Sequence, residues 1–145
     1  MNDTNFSDIL DTPYDEVERP KPLPPGTYLT VVQSFREDVS SKAQTPYVEY
    51  TLQPQQAGED VADEELEAMG GIGTRTLRYT CYKTEGALWR LKEFHIACGL
   101  EVKGKTPRQL VPEAVGCQVT VHVKHRPNIQ GTGVYAEIDM VAPAE

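Results

Sequence analysis

The chain of 145 residues is poor in the residues that usually carry chemistry, with three cysteines, three histidines and one tryptophan. Cys81, Cys98 and Cys117 are odd in number and well separated, and no CxxC pair exists. A disulfide framework is therefore excluded, and three reduced thiols are expected. His95 and Cys98 share a helical face, but without a second clustered pair they do not make a zinc site. No apolar run is long enough for a signal peptide or a membrane span, which points to a cytoplasmic protein. The sequence holds no HExxH and no GxSxG, so zinc-protease and serine-hydrolase chemistry lack their residues. Gly99 to Thr106 has the GxxxxGK(S/T) spacing but follows a helical stretch instead of a strand, so it lacks the context of a phosphate loop. Gly70-Gly71-Ile72-Gly73 precedes a strand instead of opening a helix, so it reads as a hinge and not as an anion cradle. These absences argue against an enzyme, and neither a metal nor a cofactor is expected.

Base is also scarce, with 14 Lys+Arg against 22 Asp+Glu and a net charge of −8. The acid, however, is concentrated in two stretches. Residues 1–25 hold six acids against Arg19 and Lys21, and residues 54–72 hold Glu59, Asp60, Asp63, Glu64, Glu65 and Glu67 with no base. What is left has ten acids against twelve bases, a net of +2. Both acidic stretches read as unstructured, and the remainder is mildly basic, so whole-chain charge does not exclude a nucleic-acid partner.

The organisation follows from breakers and periodicity. Residues 1–25 are an acidic arm ending in a proline-rich run, Pro20 to Pro25, which forbids helix and interior strand and predicts an extended, flexible segment. A single domain over residues 26–145 follows, with an acidic insert at 54–72. Thr27 to Phe35 is rich in β-branched and aromatic residues and predicts strand one. After a polar loop from Arg36 to Gln44, Tyr47 to Leu52 alternates as a half-buried strand and Pro54 stops it. Within the insert, Asp63 to Met69 can form a short helix. Strand three is expected from about Thr74 to Lys83. Thr84 can then cap a helix from Glu85 to Cys98, closed by Gly99, with Ala87, Leu88, Leu91, Phe94 and Cys98 as its core stripe. Pro107 to Val111 offers a helical turn or two. Strand four turns Cys117, Val119, Val121 and Val123 inward, and strand five turns Val134, Ala136, Ile138 and Met140 inward. Three strands, one well-defined helix and two strands is the order of an OB-fold, a five-stranded Greek-key barrel that is mainly β with the helix between strands three and four. A five-stranded open sheet with the helix on one face gives a similar string.

A barrel of this kind holds single strands on the face of strands two and three and on the loops joining strands 1–2 and 4–5. Cations follow the phosphates there, and aromatic rings stack the bases. The residues placed to do this are the cations Lys42, Arg75, Arg78, Lys124 and Arg126 and the rings Tyr47, Tyr82 and Tyr135. Any single tyrosine in a strand also serves as a packing residue, so the signal lies in the set. Trp89 sits on the helix and reads as a packing residue. His95 reads as a helix-surface or core-edge histidine.

Leu23-Pro24-Pro25-Gly26-Thr27-Tyr28 resembles the LPxGxY opening of a family of small phage-encoded proteins. Trp89-Arg90-Leu91-Lys92-Glu93-Phe94, followed by Ala97-Cys98-Gly99-Leu100, resembles that family's single helix. Leu110 to Gly116 resembles its segment before strand four, so the likeness covers roughly residues 23–141. It implies an OB-fold single-stranded-DNA-binding protein, sequence-tolerant and non-enzymatic, acting in phage DNA replication or recombination in the host cytoplasm. Its implied partners are single-stranded DNA and replication or recombination proteins of phage or host, the latter reached through the acidic N-terminal arm. The rival expectation is a protein–protein adaptor or inhibitor on the same barrel, whose acidic segments imitate nucleic acid or dock on a basic partner.

Overall fold

The computed structural model describes residues 10, 11, 13, 21–127 and 133–144. Most of the acidic arm, and the tip of the loop between the last two strands, therefore lie outside the described residues. Five strands form one antiparallel sheet: β1 (Gly26–Val39), β2 (Pro46–Ala57), β3 (Leu77–Tyr82), β4 (Gln118–Pro127) and β5 (Val134–Pro143). Their order is β3-β2-β1-β4-β5. β1 is central and long, pairing with β4 through its first half and with β2 along nearly its whole length. Two register shifts in the β1–β2 pairing, between Leu29 and Thr30 and between Val32 and Ser34, bend the strands as bulges do. The sheet coils until Cα atoms of β3 and β5, the two ends of the order, approach within 8 Å of each other.

Alternation fixes the inner face. Tyr28 and Val32 of β1, Val48, Tyr50 and Leu52 of β2, Leu77, Tyr79 and Cys81 of β3, and Val119, Val121 and Val123 of β4 are all buried. The helix α2 (Leu88–Ala97) closes this core by packing against both β3 and β5. Phe94 is its anchor, with ring centroids 4.6 Å from Tyr50 and 5.1 Å from Tyr79, both stacked. Truncating a fully enclosed ring of this kind costs about 3–5 kcal/mol.

Several expectations are corrected. Among the described residues three α-helices stand beside the sheet where one well-defined helix was expected, because the short segments at 63–69 and 107–111 also form helices, α1 (Asp63–Ala68) and α3 (Pro107–Leu110), with 3₁₀ turns at Ile72–Thr74 and Pro112–Ala114. Pro54 does not stop β2. It is buried inside the strand and pairs with Thr30 at the register shift, where a missing N–H does not interrupt a regular ladder. The 54–72 insert is not an unstructured loop. The Asp60 carboxylate accepts from the Thr27 amide at 2.9 Å and from the Thr27 hydroxyl at 2.8 Å, while Val61 and Met69 are buried. Those two hydrogen bonds also hold the Asp60 carboxyl below the usual range.

β1 extends through Arg36 to Val39, residues expected in a loop, because Arg36 to Val39 pair with Pro46 to Glu49. β3 begins at Leu77, later than expected, since the 3₁₀ turn takes Ile72–Thr74. The helical run begins at Leu88, later than Glu85, after a turn in which the Thr84 hydroxyl accepts from the Ala87 amide at 3.2 Å. Met140 is 61 % exposed, not inward. A register shift between His122 and Val123 places the extra residue on β5, so Val141 stands opposite Val121 in its stead. The proline-rich end of the arm belongs to the fold. Leu23 is buried, the Tyr28 hydroxyl donates to the Pro24 carbonyl at 2.6 Å, and His125 Nε2 lies 2.7 Å from the Leu23 carbonyl.

Candidate nucleic-acid interface

Tyr47 and Tyr82 stand directly opposite each other in the β2–β3 ladder, on the face turned away from the core. Their ring centroids are 6.0 Å apart and nearly perpendicular at 72°. Tyr82 is 44 % exposed. Alternation is the cause, since Val48 and Cys81, the next residue on each strand toward the core, are buried. Arg36 lies beside this pair, its guanidinium carbon 5.6 Å from the Tyr47 ring centroid and its Nη2 donating to the Tyr47 hydroxyl at 3.0 Å. Its charge is already engaged by Glu49 at 2.9 Å and Asp38 at 3.2 Å. Arg78 is exposed on the same face opposite Thr51 and makes no ion pair among the described residues. Lys42 is exposed in the turn between β1 and β2. Lys83, the residue after Tyr82, is paired with Glu37.

Lys124, Arg126 and Tyr135 form a second group on β4 and β5. Arg126 pairs in the ladder with Tyr135, and Lys124 with Glu137. Tyr135 is 47 % exposed, and Arg126 is held by the Glu137 carboxylate. The register separates the two groups. Tyr47 is opposite Asp38 near the end of β1, whereas Lys124 follows Val123, the partner of Gly26 at its start. Arg75 belongs to neither group. Its guanidinium donates to the Lys21 carbonyl at 3.1 Å and the Thr74 carbonyl at 3.0 Å, tying the end of the arm to the turn before β3.

The helix supplies what the sequence reading missed. Trp89 is 60 % exposed and does not pack in the core. It precedes Leu91 by two residues, which on an α-helix turns it about 200° away from the buried stripe of Leu91, Phe94 and His95. It borders a groove of about 350 Å³ between α2 and α3, with Leu88 and Pro107 as apolar walls and Lys92 and Lys105 as the charged members. Among the described residues, no carboxylate lines this groove. A neighbouring cavity of about 450 Å³ shares Leu88, Leu91 and Pro107 with it and reaches Lys83 and Arg108, with Glu37 and Glu85 also on its wall.

Burial pushes the thiols of Cys81 and Cys98 up, to about 11 and about 12, so both are protonated at neutral pH. Among the described residues, no group of three or more His, Cys, Asp or Glu is placed to hold a metal ion. No helix among them is long and apolar enough to cross a membrane. No family model matches the chain, and no curated protein matches it.

Proposed function

We propose that the protein is a sequence-tolerant single-stranded-DNA-binding protein built on an OB-fold, acting in phage DNA replication or recombination. Two features support the OB-fold. The strand order brings β3 toward β5, as closure of a five-stranded Greek-key barrel requires. The principal helix lies between β3 and β4 in the chain and packs at that junction.

The observation that carries the function is the Tyr47–Tyr82 pair. Two adjacent rings on the outer face of β2–β3 offer π-surfaces that any base can use, worth about 1–3 kcal/mol per stacked base. Arg78, on the same face four residues along β3, makes no ion pair among the described residues and is placed to meet a phosphate. Tyr47→Ala and Tyr82→Ala are each expected to weaken binding of labelled oligo-dT by about 1–3 kcal/mol in fluorescence anisotropy, with little change in thermal stability. Parent-like affinity in both variants would show that the strand does not lie on this face.

A protein–protein adaptor is the second reading, favoured by one observation. On the sheet, Arg36, Lys83 and Arg126 are all neutralised by carboxylates, while α1 exposes Asp63, Glu64, Glu65 and Glu67. An adaptor would bind no oligonucleotide, which the same titration decides.

A further inference from the structure

The sheet face offers rings but little free charge, so the basic surplus of the chain must lie elsewhere. It lies along α2 and the segment to α3. Residues 88–111 hold Arg90, Lys92, Lys103, Lys105 and Arg108 against Glu93 and Glu101, a net of +3 that exceeds the +2 of everything outside the two acidic stretches. Lys92 and Lys105 converge on the groove beside Trp89, and neither makes an ion pair among the described residues. We infer that this groove is a second nucleic-acid subsite, in which one base stacks on Trp89 against the Pro107 wall and the flanking phosphates meet Lys92 and Lys105.

Two observations converge on it. An indole ring 60 % exposed leaves apolar surface open to water that a stacked base would cover. The groove carries two ammonium groups and, among the described residues, no carboxylate, the charge pattern that suits a polyanion. The groove adjoins a cavity that shares its Leu88, Leu91 and Pro107 walls and is lined by Lys83 and Arg108 together with Glu37 and Glu85. This extends the single-strand reading, and rests on it.

The test uses the fact that Trp89 is the only tryptophan in the chain, so intrinsic emission reports on the groove alone. Full-length protein is titrated with fluorescein-labelled oligo-dT, and anisotropy and tryptophan emission are followed in parallel. The expected result is quenching of Trp89 with the same midpoint as the anisotropy rise. Lys92→Glu with Lys105→Glu is expected to weaken binding and make the slope of log K against log salt shallower by about 1.4, two phosphates at about 0.7 each. Trp89→Ala is expected to weaken binding about five- to hundred-fold, with far-UV circular dichroism checking that both variants are folded. An anisotropy rise with unchanged Trp89 emission and parent-like affinity of the charge-reversed protein overturns the groove but leaves the sheet face standing. Absence of any anisotropy rise overturns both. Quenching by a synthetic peptide of the acidic residues 2–13, with none by oligo-dT, would assign the groove to a peptide and overturn the subsite.

Discussion

The hydroxyl of Tyr50 and Nε2 of His95 lie 2.8 Å apart, both side chains almost wholly buried beneath α2. The Tyr50 hydroxyl also lies 3.4 Å from the Val111 carbonyl. One proton arrangement satisfies both contacts. The imidazole donates from Nε2 to the tyrosine oxygen, and the tyrosine hydroxyl donates onward to the carbonyl. This joins β2, α2 and the segment after α3 through one polar chain inside an apolar core. A second proton, taken up at Nδ1, would leave both bonds in place but put a charge inside that core.

The first prediction is therefore a pH dependence. Burial lowers the His95 pKa from 6.5 to about 4. The unfolded chain takes up a proton near pH 6.5 that the folded protein refuses until about pH 4, so the stability from the neutral histidine is complete above pH 6.5 and lost as pH falls to about 4. At about 1.4 kcal/mol per unit, the loss is on the order of 3 kcal/mol. Urea midpoints at pH 7 and pH 4.5 should converge on those of His95→Gln as pH falls. A constant gap between the two proteins would contradict a neutral, buried histidine.

The junction between arm and sheet gives a second prediction. Gly26 has φ +141°, and a Cβ there would lie 2.6 Å from Val61 Cγ2 and 3.1 Å from the Asp60 carbonyl oxygen. Gly26→Ala should destabilise the fold by about 1–3 kcal/mol from crowding alone. Gly73→Ala, where a Cβ meets nothing within 4 Å, should stay within about 0.5 kcal/mol. Chemical denaturation of the two variants checks the contrast, and equal stabilities would mean that the acidic insert is not seated on β1.

Salt and the acidic helix form the third prediction. With about three or four phosphates neutralised, log K for oligo-dT should fall against log salt with a slope of roughly −2 to −3. Deleting the insert is no clean probe of its charge, because Val61 and Met69 pack in the core. Glu64→Gln with Glu67→Gln, both exposed on α1, removes charge without disturbing that packing. The double variant should bind oligo-dT more tightly at low salt, with the gain vanishing as the Debye length falls below about 10 Å above 0.1 M salt. An unchanged affinity at every salt concentration would place the acidic helix away from the strand.

The inner face was legible wherever a strand ran without interruption. Val48, Tyr50 and Leu52, and Val119, Val121 and Val123, alternate in sequence and are buried in space. Bulges were not legible, since each depends on the partner strand. Hence Pro54 read as a stop and Met140 as inward, although register shifts reverse both. The hold of Asp60 on Thr27, across 33 positions, left no local trace, so a seated segment read as a loose one. Tyr47 and Tyr82 were legible as outward residues, but the carboxylates that neutralise Arg36, Lys83 and Arg126 come from neighbouring strands. Trp89 carried a usable signal in its two-residue offset from Leu91, which outweighs the general tendency of tryptophan to be buried.

The most direct measurement is fluorescence anisotropy of the full-length protein at low salt with three labelled ligands of equal length: oligo-dT, duplex DNA and single-stranded RNA. A single-strand binder that stacks bases on Tyr47 and Tyr82 should take up oligo-dT and leave the duplex, whose bases are already stacked and inaccessible. RNA reports only on sugar preference. Binding of oligo-dT at least about tenfold tighter than duplex is the result expected of the stacking face. Equal affinity for both, or no binding of oligo-dT, would contradict it, and the latter would leave the adaptor as the function.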